Sequence, residues 1–165
     1  MKRRRASGTA ATRPFVCLAS DHAGFELKEA VLSYLRRRGF DVMDVGAFSD
    51  EPSDYPDYII PAAEVVAGSR GRAIGIVFGG SGIGECLAAA KVKGIRAALV
   101  YDAYTARMSR EHNDANVMCL GARTPSGRPD AAKRLVGAWL AARFSGAAKH
   151  RRRLDKIARY EKNRR

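Results

Sequence analysis

Cysteine is scarce in this chain and poorly spaced for joint work. Cys17, Cys86 and Cys119 form no CxxC pair and match no zinc-ligand spacing. An odd number of isolated cysteines argues against a disulfide framework and against a structural zinc site. Only three histidines are present, again without ligand spacing, so no metal and no cofactor is expected. No apolar run approaches the roughly 20 residues that span a bilayer, and Met1 to Pro14 lacks the apolar stretch of a secretory signal. The expected location is the cytoplasm, with no membrane partner. Two phosphate-binding signatures are missing as well. No Walker lysine and Ser/Thr pair follows the glycine-rich stretch at 79–84, and no early dinucleotide fingerprint is followed by an acid about 20 residues on.

What is present fits one globular domain. The 165 residues are 46% hydrophobic, enough for a full core. The net charge of +13 suggests nucleic acid, but its distribution does not. Residues 1–13 hold Lys2, Arg3, Arg4, Arg5 and Arg13 without an acid, and 149–165 hold nine Lys/Arg against Asp155 and Glu161, leaving +1 for the rest. A nucleic-acid reader carries its charge on a folded face with a reading element. Residues 1–13 therefore read as a disordered, solvated leader, 14–148 as the domain, and 149–165 as a basic C-terminal helix.

Hydrophobic patterning alternates between short apolar runs and helical periodicity. Strands are predicted at 15–19, 41–45, 73–78, 95–100 and 116–121, and helices at 25–38, 58–67, 85–92, 103–112, 130–144 and from 150. Five strands alternating with helices predict an α/β fold: a doubly wound, Rossmann-like parallel sheet with helices on both faces and an appended C-terminal helix. Ligands in such sheets bind beyond the carboxyl ends of the strands. The loops of interest are thus 20–24, 46–57, 79–85, 101–104 and 121–126.

Gly79-Gly80-Ser81-Gly82-Ile83-Gly84 puts four glycines in six residues between a strand and a helix. Glycines let successive backbone N–H groups converge on one anion, and the helix N-terminus adds its dipole. A tight turn explains the glycines about as well. Glu85 sharpens the pattern. An acid in a first helical turn is commonplace, yet here it borders a candidate anion nest, where a partly desolvated carboxylate suits proton abstraction alpha to a carbonyl. Cys86 follows it, turned about 100° around the helix and read as core-facing. A polar cluster from Arg107 to Asn116 holds His112 and Asn113, and His22 lies on another ligand-edge loop.

Taken with Ser20 to Lys28, Asp54-Tyr55-Pro56, Lys91 to Ala97, Ser109 to Asn116 and Gly121-Ala122-Arg123, these motifs closely resemble the ribose-5-phosphate isomerase type B family, which includes the galactose-6-phosphate isomerase subunits. The resemblance spans about residues 15–160. It implies a metal-free aldose–ketose isomerase working through a cis-enediolate, with ribose 5-phosphate as the default substrate and other four- to six-carbon sugar phosphates open. Asp21 and His112 match residues that help open the sugar ring, and Tyr55 matches one lining the sugar site. The backbone of Gly80, Ser81, Gly82 and Gly84 matches the anion hole, and Ser81 is expected to relay hydroxyl protons. Asn113 and Arg123 match substrate contacts, with His22 near the phosphate. Many members use a cysteine base where this chain has Gly79. The resemblance is to the subgroup in which the glutamate matching Glu85 is the base. Phosphate is held across a homodimer, or dimer of dimers, by residues matching Arg153 and Lys149, with Arg151 or Arg152 as alternatives to Lys149. A non-catalytic sugar-phosphate-binding or hetero-oligomeric partner subunit is the other reading.

Overall fold

A computed structural model of the chain describes residues 14–163, so the expected leader at 1–13 lies outside the described residues. The sheet has five parallel strands in the order β2-β1-β3-β5-β4, with β1 at Phe15–Ser20, β2 at Val42–Asp44, β3 at Ala73–Gly79, β4 at Ala97–Leu99 and β5 at Val117–Gly121. Six helices connect or follow them: α1 (Phe25–Arg37), α2 (Pro56–Gly68), α3 (Ile83–Ala89), α4 (Ala103–Glu111), α5 (Pro129–Ala141) and α6 (Ala148–Asn163). The α/β reading holds.

Side chains alternate across a strand, so each central strand feeds two cores. Val16 and Leu18 of β1, with Ile76 and Phe78 of β3, pack against α1 and α5. Cys17 and Ala19, with Val77, face α2 and α3. Near-continuous burial of β1, β3 and β5 is what a sheet covered on both faces demands. Trp139 of α5 is fully buried and donates its indole N–H to Ser109 Oγ on α4 at 3.2 Å. Truncating a side chain of this kind costs about 3–5 kcal/mol. Lys28 is buried too, paired to Asp44 at 2.6 Å and Glu29 at 3.0 Å. Asp44 also accepts the Gly46 N–H at 3.0 Å, so this pair holds the exit of β2 beside β1.

Several boundaries differ from the sequence expectation. Helix α2 starts at Pro56 rather than Tyr58, because proline is pre-shaped for the first helical position. Helix α3 runs from 83 to 89 rather than 85 to 92, since tight turns at Lys91 and Val92 close onto Ala88 and Ala89. Strand β4, at the sheet edge, shrinks to three residues, with Ile95 taken into a turn closed on Val92. Helix α5 stops at Ala141, where Ala142 turns extended, and α6 begins at 148. Among the side chains of α6 only His150 is buried.

Candidate active site

The connection from β1 crosses to β2 on one side, and that from β3 crosses toward β4 and β5 on the other. Their carboxyl ends therefore diverge at a switch point, where a parallel sheet opens a crevice. A cleft of about 420 Å³ lies there. Asp21 and His22 enter it from β1, Tyr55 from the start of α2, and Gly80, Ser81, Gly84 and Glu85 from the turn after β3. Arg123 completes the lining from the turn after β5, joined by Ala23 and Thr124, which sequence reasoning did not single out. Only their membership in ligand-edge loops pointed to those two.

Each element is held for a local reason. Gly82 is the N-cap of α3 at φ +79°, a left-handed conformation that glycine adopts without strain. A side chain there would run into Leu99 and the Leu120 carbonyl carbon, so Gly82 shapes the loop against β5 and stays out of the cleft lining. Gly80, having no side chain, lines the cleft with backbone alone. The loop is tied to β5 by Ala122 N–H to Gly79 O at 2.8 Å and Arg123 N–H to Gly80 O at 2.9 Å. Asp21 is buried and accepts the Gly24 N–H at 3.0 Å. His22 is clamped by Ser53: its N–H donates to Ser53 Oγ, and its Nδ1 lies 3.1 Å from Ser53 O and 3.2 Å from Ser53 N. Ser81 is exposed, with Oγ accepting the Ile83 N–H at 3.2 Å.

Glu85 is the buried acid of the cleft, 3% exposed. Burial pushes its pKa above the usual carboxylate range. The Asp21 charge pushes the same way, while hydrogen bonds from the backbone N–H groups of Glu85 and Gly82 oppose the shift. The Gly82 bond is half of a capping box, with Glu85 at the third helical position reaching back to the cap. Gly82 has no side chain to return the bond, so capping accounts for only part of the arrangement. The rest follows from Gly79. Its missing Cβ is where the Glu85 carboxyl group lies, and any side chain at 79 would collide with it. Gly79 and Glu85 are therefore one feature: the glycine vacates the space that the acid fills.

The remaining sequence candidates are elsewhere in the chain. His112, at the end of α4, packs against His150 with ring centroids 4.2 Å apart and the ring planes tilted by 43°. Asn113 is exposed and lines a separate groove of about 770 Å³ between α6 and residues 90–98. Lys149 and Arg153 are exposed near the start of α6. Burial lowers the His150 pKa, and the neighbouring His112, Lys149 and Arg153 lower it further. That larger groove contains neither Asp21 nor Glu85, both of which line the smaller cleft.

The family profile described as ribose/galactose isomerase matches residues 16–157. This chain belongs to that family. It is 43% identical over 148 residues to ribose-5-phosphate isomerase B of Mycolicibacterium paratuberculosis, covering 89% of this chain and 91% of that one. Among solved structures, ribose-5-phosphate isomerase B of Clostridium thermocellum superposes with a TM-score of 0.84 at 44% identity, covering 89% and 97% of the two chains. That of Mycoplasma genitalium, solved with bound ribulose 5-phosphate, gives 0.85 at 40% identity, covering 90% and 97%. Among the described residues of this ribose/galactose isomerase family member, no cluster suits a metal ion and no helix is long and apolar enough to cross a membrane.

Proposed function

We propose that this chain interconverts ribose 5-phosphate and ribulose 5-phosphate, with Glu85 as the base. The relatives carry that activity in their names, and one was solved with ribulose 5-phosphate. The observation that carries the assignment of the base is the Glu85 carboxyl group, buried at the cleft in the space left by Gly79. On this reading Glu85 takes the C2 proton of the open-chain aldose and returns it to C1. Burial raises its pKa above that of an ordinary glutamate, which makes it a stronger base than a solvated carboxylate. The negative charge that develops on the enediolate oxygen is met by backbone N–H groups of Gly80, Ser81 and Gly84, which line the cleft, and by the dipole of α3. Ser81 relays the hydroxyl proton, and Asp21 with His112 opens the furanose ring. Tyr55, His22, Asn113 and Arg123 hold the sugar.

The same reading makes the enzyme a homodimer or dimer of dimers. One chain's cleft lacks His112, Asn113, Lys149 and Arg153, so a second copy supplies them. Exposed apolar side chains support such pairing, among them Ile83 and Leu87 on α3, Tyr101, Tyr104, and Ile157 on α6. The phosphate is held by Arg153 and Lys149, whose charges gain strength once covered. Three free thiols suit a reducing compartment, so the proposed location is the cytoplasm. The test is turnover of ribose 5-phosphate by the purified chain without added metal, set beside the Glu85→Gln variant. Binding without turnover by the unaltered chain overturns the reading in favour of a non-catalytic subunit.

A further inference from the structure

A buried ammonium underlies the loop that carries one wall of the cleft. The Lys28 side chain, in the first turn of α1, is wholly shielded from solvent, and its Nζ reaches Asp44 Oδ2 at 2.6 Å and Glu29 Oε1 at 3.0 Å. The rings of Phe25 and Phe48 accompany the ammonium, with centroids 5.5 and 5.6 Å away. Asp44 accepts the Gly46 N–H on its other oxygen, Oδ1, at 3.0 Å. From there the chain is tied to the end of β1: Ser20 donates its N–H to Gly46 O, and Ala47 donates its own to Ser20 O at 2.7 Å. Ser20 directly precedes Asp21. The loop beyond Ala47 brings Ser53, which clamps His22, and Tyr55, whose ring lies against Gly84. We propose that Lys28 is a positioning residue of the active site, whose ammonium fixes Asp44 and, through Gly46 and Ala47, the wall of the cleft formed by Asp21, His22 and Tyr55.

Stability alone does not account for an ammonium here. The attraction within a buried ion pair roughly offsets its desolvation, and apolar side chains of similar volume often serve a core as well or better. What the charge adds is direction. An apolar contact tolerates a range of placements, whereas an ammonium 2.6 Å from a carboxylate, shielded from water, holds one. The two oxygens of Asp44 bind different elements, so this side chain transmits the place of α1 to the exit of β2. The head of α1 is itself fixed, because Gly24 lies so close to the backbone of Phe78 and Gly79 that a side chain there would collide. The end of β3 that leaves room for Glu85 thus also sets, through α1 and Lys28, the position of the Asp21 wall. On the isomerase reading, on which this role depends, Asp21 opens the furanose and Glu85 moves the proton. Loss of the Lys28 charge should therefore strike ring opening harder than proton transfer.

The experiment compares the full purified chain with two variants. Lys28→Met alone leaves Asp44 without its partner and is expected to melt lower. Lys28→Met combined with Asp44→Asn removes both charges, keeps an oxygen for the Gly46 N–H, and is expected to melt near the unaltered protein. In that double variant, turnover of ribose 5-phosphate is expected to fall about 10²-fold, the effect of groups displaced by about an ångström. Exchange of the C1 hydrogen of ribulose 5-phosphate with heavy water needs Glu85 but no ring opening, because the esterified C5 hydroxyl cannot close a furanose. That exchange should fall far less. Residue-resolved amide exchange should show lost protection at Ser20, Gly46 and Ala47, with β3 unchanged. Near-unaltered turnover in a double variant that melts normally overturns the proposal, as does C1 exchange that falls in step with turnover. Unchanged protection at Ser20, Gly46 and Ala47 overturns it too, and that arm needs no substrate. Failure of the isomerase reading looks different, because the unaltered chain then shows neither turnover nor C1 exchange.

Discussion

Glu85 is 3% exposed beneath the 79–82 turn, whereas Lys149 and Arg153 stand in solvent at the head of α6. The first region is built from the inside: β3 and β5 are buried, the turn is stitched to residues 122 and 123 by backbone bonds, and one acid fills the space of an absent side chain. The second is displayed on a helix with His150 as its one buried side chain. The contrast follows from what each region is proposed to do. A base needs a fixed position and a desolvated carboxylate within one rigid frame. Charges that grip a phosphate can remain hydrated until a partner's cleft covers them, since water and salt weaken them until then.

The sharpest way to break this comparison is Glu85→Gln. It is expected to lower kcat by about 10²–10⁴-fold with an unchanged circular dichroism spectrum. In the unaltered enzyme the acid limb of the kcat–pH profile should have its midpoint above the ordinary glutamate value of about 4.3. The stability effect runs the opposite way. A carboxyl whose pKa is raised on folding binds its proton more tightly in the native state, so charging it costs stability as pH rises past about 4.3. Glu85→Gln should therefore melt at or above the unaltered protein at neutral pH, with the difference vanishing in acid. A clear loss of melting temperature at neutral pH would instead make the carboxylate a structural cap.

Gly79→Ala tests the same space from its other side. The added methyl displaces the Glu85 carboxyl group, with about 10²-fold loss of turnover and a stability cost of about 1–3 kcal/mol, read by steady-state kinetics and denaturant melts. Arg153→Ala probes the exposed region and should act on KM by about 10- to 100-fold, the scale of one hydrogen bond to a charged group. Mixing Glu85→Gln with Arg153→Ala subunits should regain activity in hybrid dimers, because one of the two shared sites is then intact. No recovery on mixing, with subunit exchange verified by mass, would confine both residues to one chain's site. The smallest effect belongs to His150. Its depressed pKa means that the native state disfavours the imidazolium, so stability is complete above about pH 6.5 and declines as pH falls through the folded value. Amide protection factors at 145–151, taken relative to the intrinsic exchange rate at each pH, should fall on acidification, and His150→Asn should remove that dependence.

Much of the fold was legible because burial on both faces leaves near-continuous apolar runs, as in Val16 to Ala19 and Ile74 to Phe78. Boundaries were less legible. Pro56 starts α2 inside what patterning reads as loop, and Ile95 belongs to a turn despite its apolar character. Within the cleft, Asp21, Tyr55, Ser81, Glu85 and Arg123 were all readable from ligand-edge loops and family motifs. Thr124 was not, since a threonine in a turn has no distinguishing spacing. It is held by hydrogen bonds of 2.7 Å to Gly121 O and to Ser126 Oγ that only the folded turn creates.

The sequence by itself determined the alternation of strands and helices, the glycine turn with its acid, and the concentration of charge at the two ends. Periodicity and composition are local properties, and they survive in the linear string. The tertiary structure alone decided that β5 lies between β3 and β4, and that the Glu85 carboxyl group lies where Gly79 has no side chain. It also decided that His112, Asn113, Lys149 and Arg153 lie apart from the cleft of their own chain. Those outcomes depend on which surfaces meet when two apolar faces of one sheet are covered at once, and such contacts between residues distant in the chain leave no local trace.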